Sequence, residues 1–87
     1  FYTEKAQSLF SQGETQVETN PKAAIESFQA ALRAEDGNVS ILKALARVHL
    51  TLDECDRADA FVKQAEAMDP FAAEVRLLRY QQATCAG

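Results

Sequence analysis

The stretch AIESFQAAL at residues 24–32 is echoed by ADAFVKQAE at residues 58–66, which lies 34 residues further along the chain. In both stretches a bulky apolar residue comes four residues after an alanine, and a second alanine comes three residues after that. This spacing places the three side chains on one face of a helix. Self-similarity at such a period is typical of chains built from stacked helix pairs. The sequence therefore predicts a repetitive all-α fold and favours a binding scaffold over an enzyme. The matched positions are Ala24 with Ala58, Phe28 with Val62, and Ala31 with Ala65.

This period and spacing resemble the tetratricopeptide repeat, and Pro70 stands where that family ends its second helix. The resemblance implies a right-handed helix-turn-helix solenoid of about five antiparallel helices, with two repeats and a terminal capping helix. We place repeat one at residues 2–37, repeat two at 38–70 and the terminal helix at 71–85, all within one domain. In such a solenoid the first helix of each pair lines a concave groove that binds peptides.

Capping and helix-breaking residues divide the chain into five predicted helices. Asn20 is a good cap ahead of Pro21, which suits the first turn of a helix because its missing N–H is not needed there. Gly37 can take a positive φ in a turn, and Asn38 can cap the helix that follows it. We expect the first helix to run from Tyr2 to Glu18, the next three to end near Glu35, Leu52 and Met68, and the fifth to run from Pro70 past Tyr80.

The composition restricts the classes of partner. The chain has 87 residues, a formal net charge of −4 and a pI near 4.8, which argues against nucleic acid or an anionic membrane as a partner. No apolar run approaches the ~18 residues of a membrane span. We expect a soluble, cytoplasmic protein and, since the chain begins with Phe1 and ends with Gly87, a segment of a longer one.

The two cysteines, Cys55 and Cys85, have the spacing of neither a metal site nor a redox motif. Two ordinary thiols in a reducing compartment are therefore the interpretation that we favour. Both residues fall near turns of neighbouring predicted repeats, so a disulfide between them remains an open alternative.

The sequence offers no arrangement of residues for catalysis. No serine or cysteine has a plausible histidine base, and there is neither a metal-ligand cluster nor a glycine-rich phosphate loop. The single histidine, His49, falls where the family packs an aromatic residue, so we expect it to be packed or hydrogen-bonded. We expect no catalytic residue, no metal and no cofactor.

Charge is distributed unevenly among the predicted helices. Helix three carries Lys43 and Arg47 with no acid, and helix five carries Arg76 and Arg79 against Glu74. Helix four and the turn before it are acidic. We therefore expect a basic inner surface, opposite an acidic outer surface, that accepts a partner of acidic character.

Lys43 and Arg47 are one helical turn apart and could meet a carboxylate together. The pair resembles the lysine and arginine with which some chaperone-binding members of the family hold a terminal carboxylate. The rest of that clamp is missing, because Glu14 stands where those members place an asparagine. The alternative is that both are solvated residues that pair with Glu14. Our candidate groove residues are Gln7, Phe10, Glu14, Lys43, Arg47, Leu50, Leu77 and Gln81.

The fifth helix carries two apolar stripes. Phe71, Val75 and Leu78 form the stripe that we expect to pack against helix four. The opposite stripe would then remain open, as a site for a further helix, as tolerated exposure, or as a contact between two copies of the chain. Its members are Ala73, Leu77 and Tyr80.

The sequence thus predicts a protein-interaction module that binds a peptide or helix of acidic character in its groove. The alternative is a structural assembly or homo-oligomerisation element that uses the exposed end of the last helix. A third interpretation is a helical regulatory appendage of an enzyme whose active site lies elsewhere. In each case the segment acts through protein contacts.

Overall fold

Five α-helices follow one another along the chain, and the computed structural model describes residues 3–85. α1 packs mainly against α2 and α3 mainly against α4, while α5 packs on α4 and also contacts α3. This arrangement confirms the prediction of an all-α, helix-turn-helix architecture. The helices are α1 (Glu4–Gln16), α2 (Pro21–Ala34), α3 (Val39–Thr51), α4 (Cys55–Met68) and α5 (Ala73–Ala83).

The predicted caps form at the starts of α2 and α3. Asn20 accepts a hydrogen bond from the backbone N–H of Ala23 at 3.3 Å, ahead of Pro21 in the first turn of α2. Asn38 accepts one from the N–H of Ser40 at 2.9 Å. Just before it, Gly37 has a φ of 76°, a conformation that costs glycine little. Both turns therefore form for the reasons that the sequence indicates.

α1 is shorter than predicted. The side chain of Thr3 accepts a hydrogen bond from the N–H of Ala6 at 3.1 Å and so caps the helix. The predicted start, Tyr2, lies outside the described residues, and the helix ends at Gln16 instead of Glu18. The shorter helix leaves residues 17–20 for the turn into α2.

α5 begins at Ala73, three residues later than predicted. Pro70 and Phe71 lie in the turn that reverses the chain after α4, and Ala72 is extended. Phe71 is consequently 84% exposed and does not belong to the buried stripe that we predicted for it. Val75 and Leu78, the other two members, are buried against both α3 and α4.

Small residues set the close approach of the helices, as the repeat pattern predicts. A Cβ atom on Gly13 would lie 2.6 Å from Cε1 of Phe28, so only glycine allows α1 to pack this closely on α2. The repeat positions Ala24, Phe28, Ala31, Ala58, Val62 and Ala65 are all buried.

Three apolar clusters share the interior. The first lies between α2 and α3, the second joins α3 and α4 to Val75, and the third joins the same helices to Leu78. Phe61 of α4 is only partly buried, yet it packs against all three clusters. It also stacks on the ring of His49, with centroids 5.5 Å apart.

Candidate peptide-binding groove

Two cavities open on either side of Arg47, which projects from α3 and is half-exposed. The first, of about 470 Å³, lies between α1, α2 and α3. The second, of about 520 Å³, lies between α3, the turn that follows it and the end of α5. Arg47 lines both cavities and is the residue that their linings share. The second cavity is lined by Arg47, Leu50, Thr51, Asp53, Gln81, Thr84 and Cys85.

Lys43 and Arg47 meet a carboxylate together, and that carboxylate belongs to the protein itself. Nζ of Lys43 lies 3.2 Å from Oε2 of Glu74, and a guanidinium nitrogen of Arg47 pairs with Oε1 of the same residue. The pairing ties α3 to α5. Lys43 and Arg47 therefore pair with Glu74 and not with Glu14, the partner that the alternative prediction named, because α5 contacts α3 at this point.

The predicted groove residues fall into two groups. Glu14 and Arg47 line the first cavity, and Arg47, Leu50 and Gln81 line the second. The others lie outside both cavities. In that second group Gln7 and Leu77 are exposed, Lys43 is half-buried beside Glu74, and Phe10 packs on Phe28 with ring centroids 5.4 Å apart.

The positive charge of the groove is smaller than we predicted. Arg79 turns away from it and contacts α4, with nitrogen atoms 2.7 Å from Oδ1 of Asp59 and 2.6 Å from Oε1 of Glu66. Glu74 meanwhile neutralises part of the charge of α3. The prediction of a basic inner surface counted every charge of helix five toward the groove. In the structure Arg79 of α5 faces α4 instead.

The Arg79 cluster also shifts the acidity of its members. Hydrogen bonds from Arg79 hold the pKa values of Asp59 and Glu66 below their ordinary range, with Lys63 contributing further at Asp59. Glu66, and then Asp59, raise the pKa of the guanidinium in return. Arg79 therefore fastens α5 to α4 with one charge shared between two carboxylates.

His49 is packed and hydrogen-bonded, as predicted. It is buried against Phe61, and its Nδ1 donates to Oε1 of Glu54 at 2.7 Å. This hydrogen bond lowers the pKa of the Glu54 carboxyl. Within the described part of the chain, no three His, Cys, Asp or Glu side chains come together as a metal site requires.

Cys55 and Cys85 form a disulfide, which corrects our preference for two ordinary thiols. The first residue of α4 and the end of α5 lie side by side, with the two Cα atoms 5.9 Å apart. That separation lies within the range that a disulfide spans. The alternative that the sequence left open is therefore the one that the fold adopts.

The open stripe of α5 is exposed, as predicted. Leu77 and Tyr80 have 54% and 67% of their surface accessible, and Ala73 is also exposed. In the segment from residue 3 to residue 85, no helix combines the length and the apolar character that crossing a membrane requires.

Two carboxylates that the sequence did not single out connect different parts of the chain. From the sequence, Glu74 was considered only as one of the charges of helix five. It is the one acidic residue of α5, and it pairs with Lys43 and Arg47 of α3. Glu35 is buried and accepts hydrogen bonds from the N–H of Thr3 and the amide of Asn38. No periodic signal marks Glu35, because its two partners are the caps of two different helices, α1 and α3.

Comparison with known proteins agrees with the architecture. A family profile described as tetratricopeptide repeat matches residues 17–81, which is most of the chain. No curated protein and no solved structure gives a significant match. Repeats of this family generally mediate protein–protein interactions and are typically not catalytic. The chain belongs to the tetratricopeptide repeat family.

Proposed function

We propose that this chain binds a peptide or helix of acidic character in the groove formed by α1, α3 and α5. One observation carries the proposal: Lys43 and Arg47 already hold a carboxylate between them, that of Glu74. Their geometry therefore suits a carboxylate, and Arg47 stands at the junction of the two cavities, where a bound peptide would pass.

Glu74 acts as an internal competitor in this scheme. Its side chain is 42% exposed and Arg47 is 48% exposed, so this ion pair contributes little to stability and opens at small cost. A partner carboxylate can replace Glu74 without leaving either cation buried and unpaired. Leu50 in the second cavity then supplies an apolar contact beside the charged one.

Fluorescence anisotropy tests the proposal with a pool of labelled peptides of about eight residues, in which glutamate alternates with random apolar residues. A matched pool carries glutamine in place of glutamate. We expect the acidic pool to bind with micromolar affinity, roughly −8 kcal/mol, and the glutamine pool to bind far more weakly. Equal binding of the two pools would contradict an acidic partner.

Three variants locate the binding site. Lys43→Glu with Arg47→Glu should abolish binding of the acidic pool, whereas Glu74→Gln should strengthen it by removing the competitor. Leu77→Asp with Tyr80→Ser changes exposed residues outside the two cavities and serves as the matched control. If the acidic pool still binds the variant with both substitutions, Lys43→Glu and Arg47→Glu, its binding site is not at these two residues.

A second candidate function is self-assembly through the open stripe of α5. The exposure of Leu77 and Tyr80, two large apolar side chains on one helix, favours it. Sedimentation equilibrium should then show a dimer that Leu77→Asp with Tyr80→Ser dissociates and that the substitutions at Lys43 and Arg47 leave intact. A monomer at every concentration would exclude this function.

The cytoplasm stays our proposed location, and the disulfide between Cys55 and Cys85 is the observation that weighs against it. Disulfides are rare in cytosolic proteins, and those that occur are usually transient and catalytic or redox-sensing. The link between Cys55 and Cys85 would be reducible there. Fractionation of cells that produce the protein, with thiol trapping of the two cysteines, tests both points. An oxidised protein in a secreted fraction would contradict this location.

A further inference from the structure

The last turn of α5 is joined to the rest of the molecule by few contacts. Leu78 is the final buried apolar residue in the described part of the helix, and Arg79 makes the final ion pairs to α4. Residues 80–84 are exposed or only half-buried. The disulfide from Cys85 to Cys55 is the covalent link that fastens this end to the start of α4.

The same segment forms one wall of the second groove cavity. Gln81, Thr84 and Cys85 face Arg47 and Leu50 across it. Residues 80–84 bury no apolar side chain, and Gln82 accepts a hydrogen bond from Arg79 of the same helix, so the disulfide at Cys85 is the tie from this wall to the start of α4. A change in the redox state of the two cysteines would therefore act on the wall of this cavity.

We propose that the disulfide between Cys55 and Cys85 is a redox-controlled latch on the groove. In the oxidised protein it holds the last turn of α5 in place and the second cavity keeps its shape. In the reduced protein the last turn detaches, the wall is lost, and peptides bind more weakly. The effect on binding rests on the proposed function, whereas the release of the helix end does not.

The chemistry requires a dithiol reductant. A thiolate of the reductant attacks one cysteine sulfur, the S–S bond breaks, and the other cysteine leaves as a thiolate that takes a proton from water. The second thiol of the reductant then displaces the first cysteine, so that the reductant becomes a disulfide and the protein gains two thiols. Both cysteines are only half-buried, and Cys55 lines a surface cavity of about 250 Å³ that gives a small reductant access.

Backbone order parameters from ¹⁵N NMR relaxation test the latch without any peptide. In the oxidised protein we expect values near 0.85 through residue 83. After dithiothreitol is added, residues 80–85 should fall below about 0.6 while α3 and α4 keep their values. Unchanged values through residue 83 would overturn the proposal. Loss of the native spectrum along the whole chain would overturn it too, since the disulfide would then be required for folding.

Cys55→Ser with Cys85→Ser provides the control. In the absence of reductant this variant should show the mobile helix end of the reduced protein, and dithiothreitol should change nothing further. Titration with the acidic peptide pool then measures the consequence: we expect at least a five-fold loss of affinity on reduction in the wild type and no change in the variant. Equal affinity in both redox states would overturn the coupling to the groove.

If the acidic pool fails to bind even the oxidised protein, the proposed function fails. The relaxation measurement still decides whether the helix end is latched.

Discussion

The interface between α2 and α3 and the attachment of α5 are held together by different kinds of contact. Between α2 and α3, buried alanines and larger apolar side chains such as Phe28 and Leu45 fill the space. α5 buries only two apolar residues of its own, Val75 and Leu78, and is otherwise fastened by ion pairs and a disulfide. The repeat interior thus relies on shape, whereas the terminal helix relies on charge and a covalent bond.

The largest effect should follow removal of the covalent bond at the α5 end. Cys55→Ser with Cys85→Ser opens a link between residues 30 apart in sequence, so the unfolded chain gains freedom and the free energy of unfolding falls by about 2–4 kcal/mol. Urea denaturation under oxidising conditions measures the loss. Wild type in dithiothreitol should match the variant, and a loss below about 1 kcal/mol would contradict a disulfide that restricts the unfolded chain much more than the folded one.

The repeat interior should respond most to added volume. Ala31→Leu places three further carbons where the alanine is fully buried, and we expect the free energy of unfolding to fall by about 1–3 kcal/mol. Ala65→Leu, at the matching position of α4, should behave in the same way. Ala60→Leu at an exposed position of α4 is the control and should stay within about 0.5 kcal/mol. Thermal unfolding of all three decides the matter: wild-type stability in both buried variants would contradict close packing at the repeat alanines.

Acid should weaken the ion pairs that attach α5 and should not act on the apolar contacts of the repeat interior. Because Arg79 lowers the pKa values of Asp59 and Glu66 in the folded protein, the unfolded chain binds more protons in acid. Their contribution is present above the ordinary carboxyl pKa values and is lost as the pH falls through the lower, folded ones. We therefore expect Arg79→Met to flatten the dependence of unfolding free energy on pH in the acid range, below the ordinary carboxyl pKa values.

Urea denaturation at a series of pH values measures that slope. Arg76→Met, at an exposed position of the same helix, is the matched control and should retain the wild-type slope. A wild-type slope in Arg79→Met would show that Asp59 and Glu66 do not depend on Arg79.

The smallest expected effect concerns Asp53, in the turn between α3 and α4 just before Cys55. Asp53 has a φ of 58°, a left-handed conformation that glycine adopts more easily than aspartate. Asp53→Gly should therefore raise the free energy of unfolding by a few tenths of a kcal/mol, because relief of backbone strain slightly exceeds the added freedom of the unfolded chain. Asp53→Ala should lower it, and calorimetry of the pair gives the sign. If both substitutions change the free energy of unfolding in the same direction, backbone strain at Asp53 is excluded as the cause.

The difference between the α2–α3 interface and the α5 attachment also determines which parts of the structure could be predicted from the sequence. The alanine and apolar positions of α2 and α4 repeat at fixed spacing, and each cap bonds within its own turn, so both are visible locally. The partners of Arg79 lie 13 and 20 residues away, and those of Glu74 lie 27 and 31 residues away, with no common period.

The candidate site follows the same division. That Arg47 and Leu50 line a cavity follows from their place on the first helix of a pair. The pairing of Arg47 with Glu74 depends on where α5 begins. Because residues 70–72 form a turn, α5 begins at Ala73, three residues later than predicted. The disulfide likewise depends on a distance between two chain segments that no sequence spacing encodes.

Phe61 gives the molecule a property that repetition alone does not confer. In an ideal array each repeat contacts only its neighbours, so the ends can melt while the middle survives. A single ring that touches all three apolar clusters removes the boundary at which such partial melting would stop. The five helices should therefore lose their structure in one cooperative transition, like a small globular domain, and not one repeat at a time.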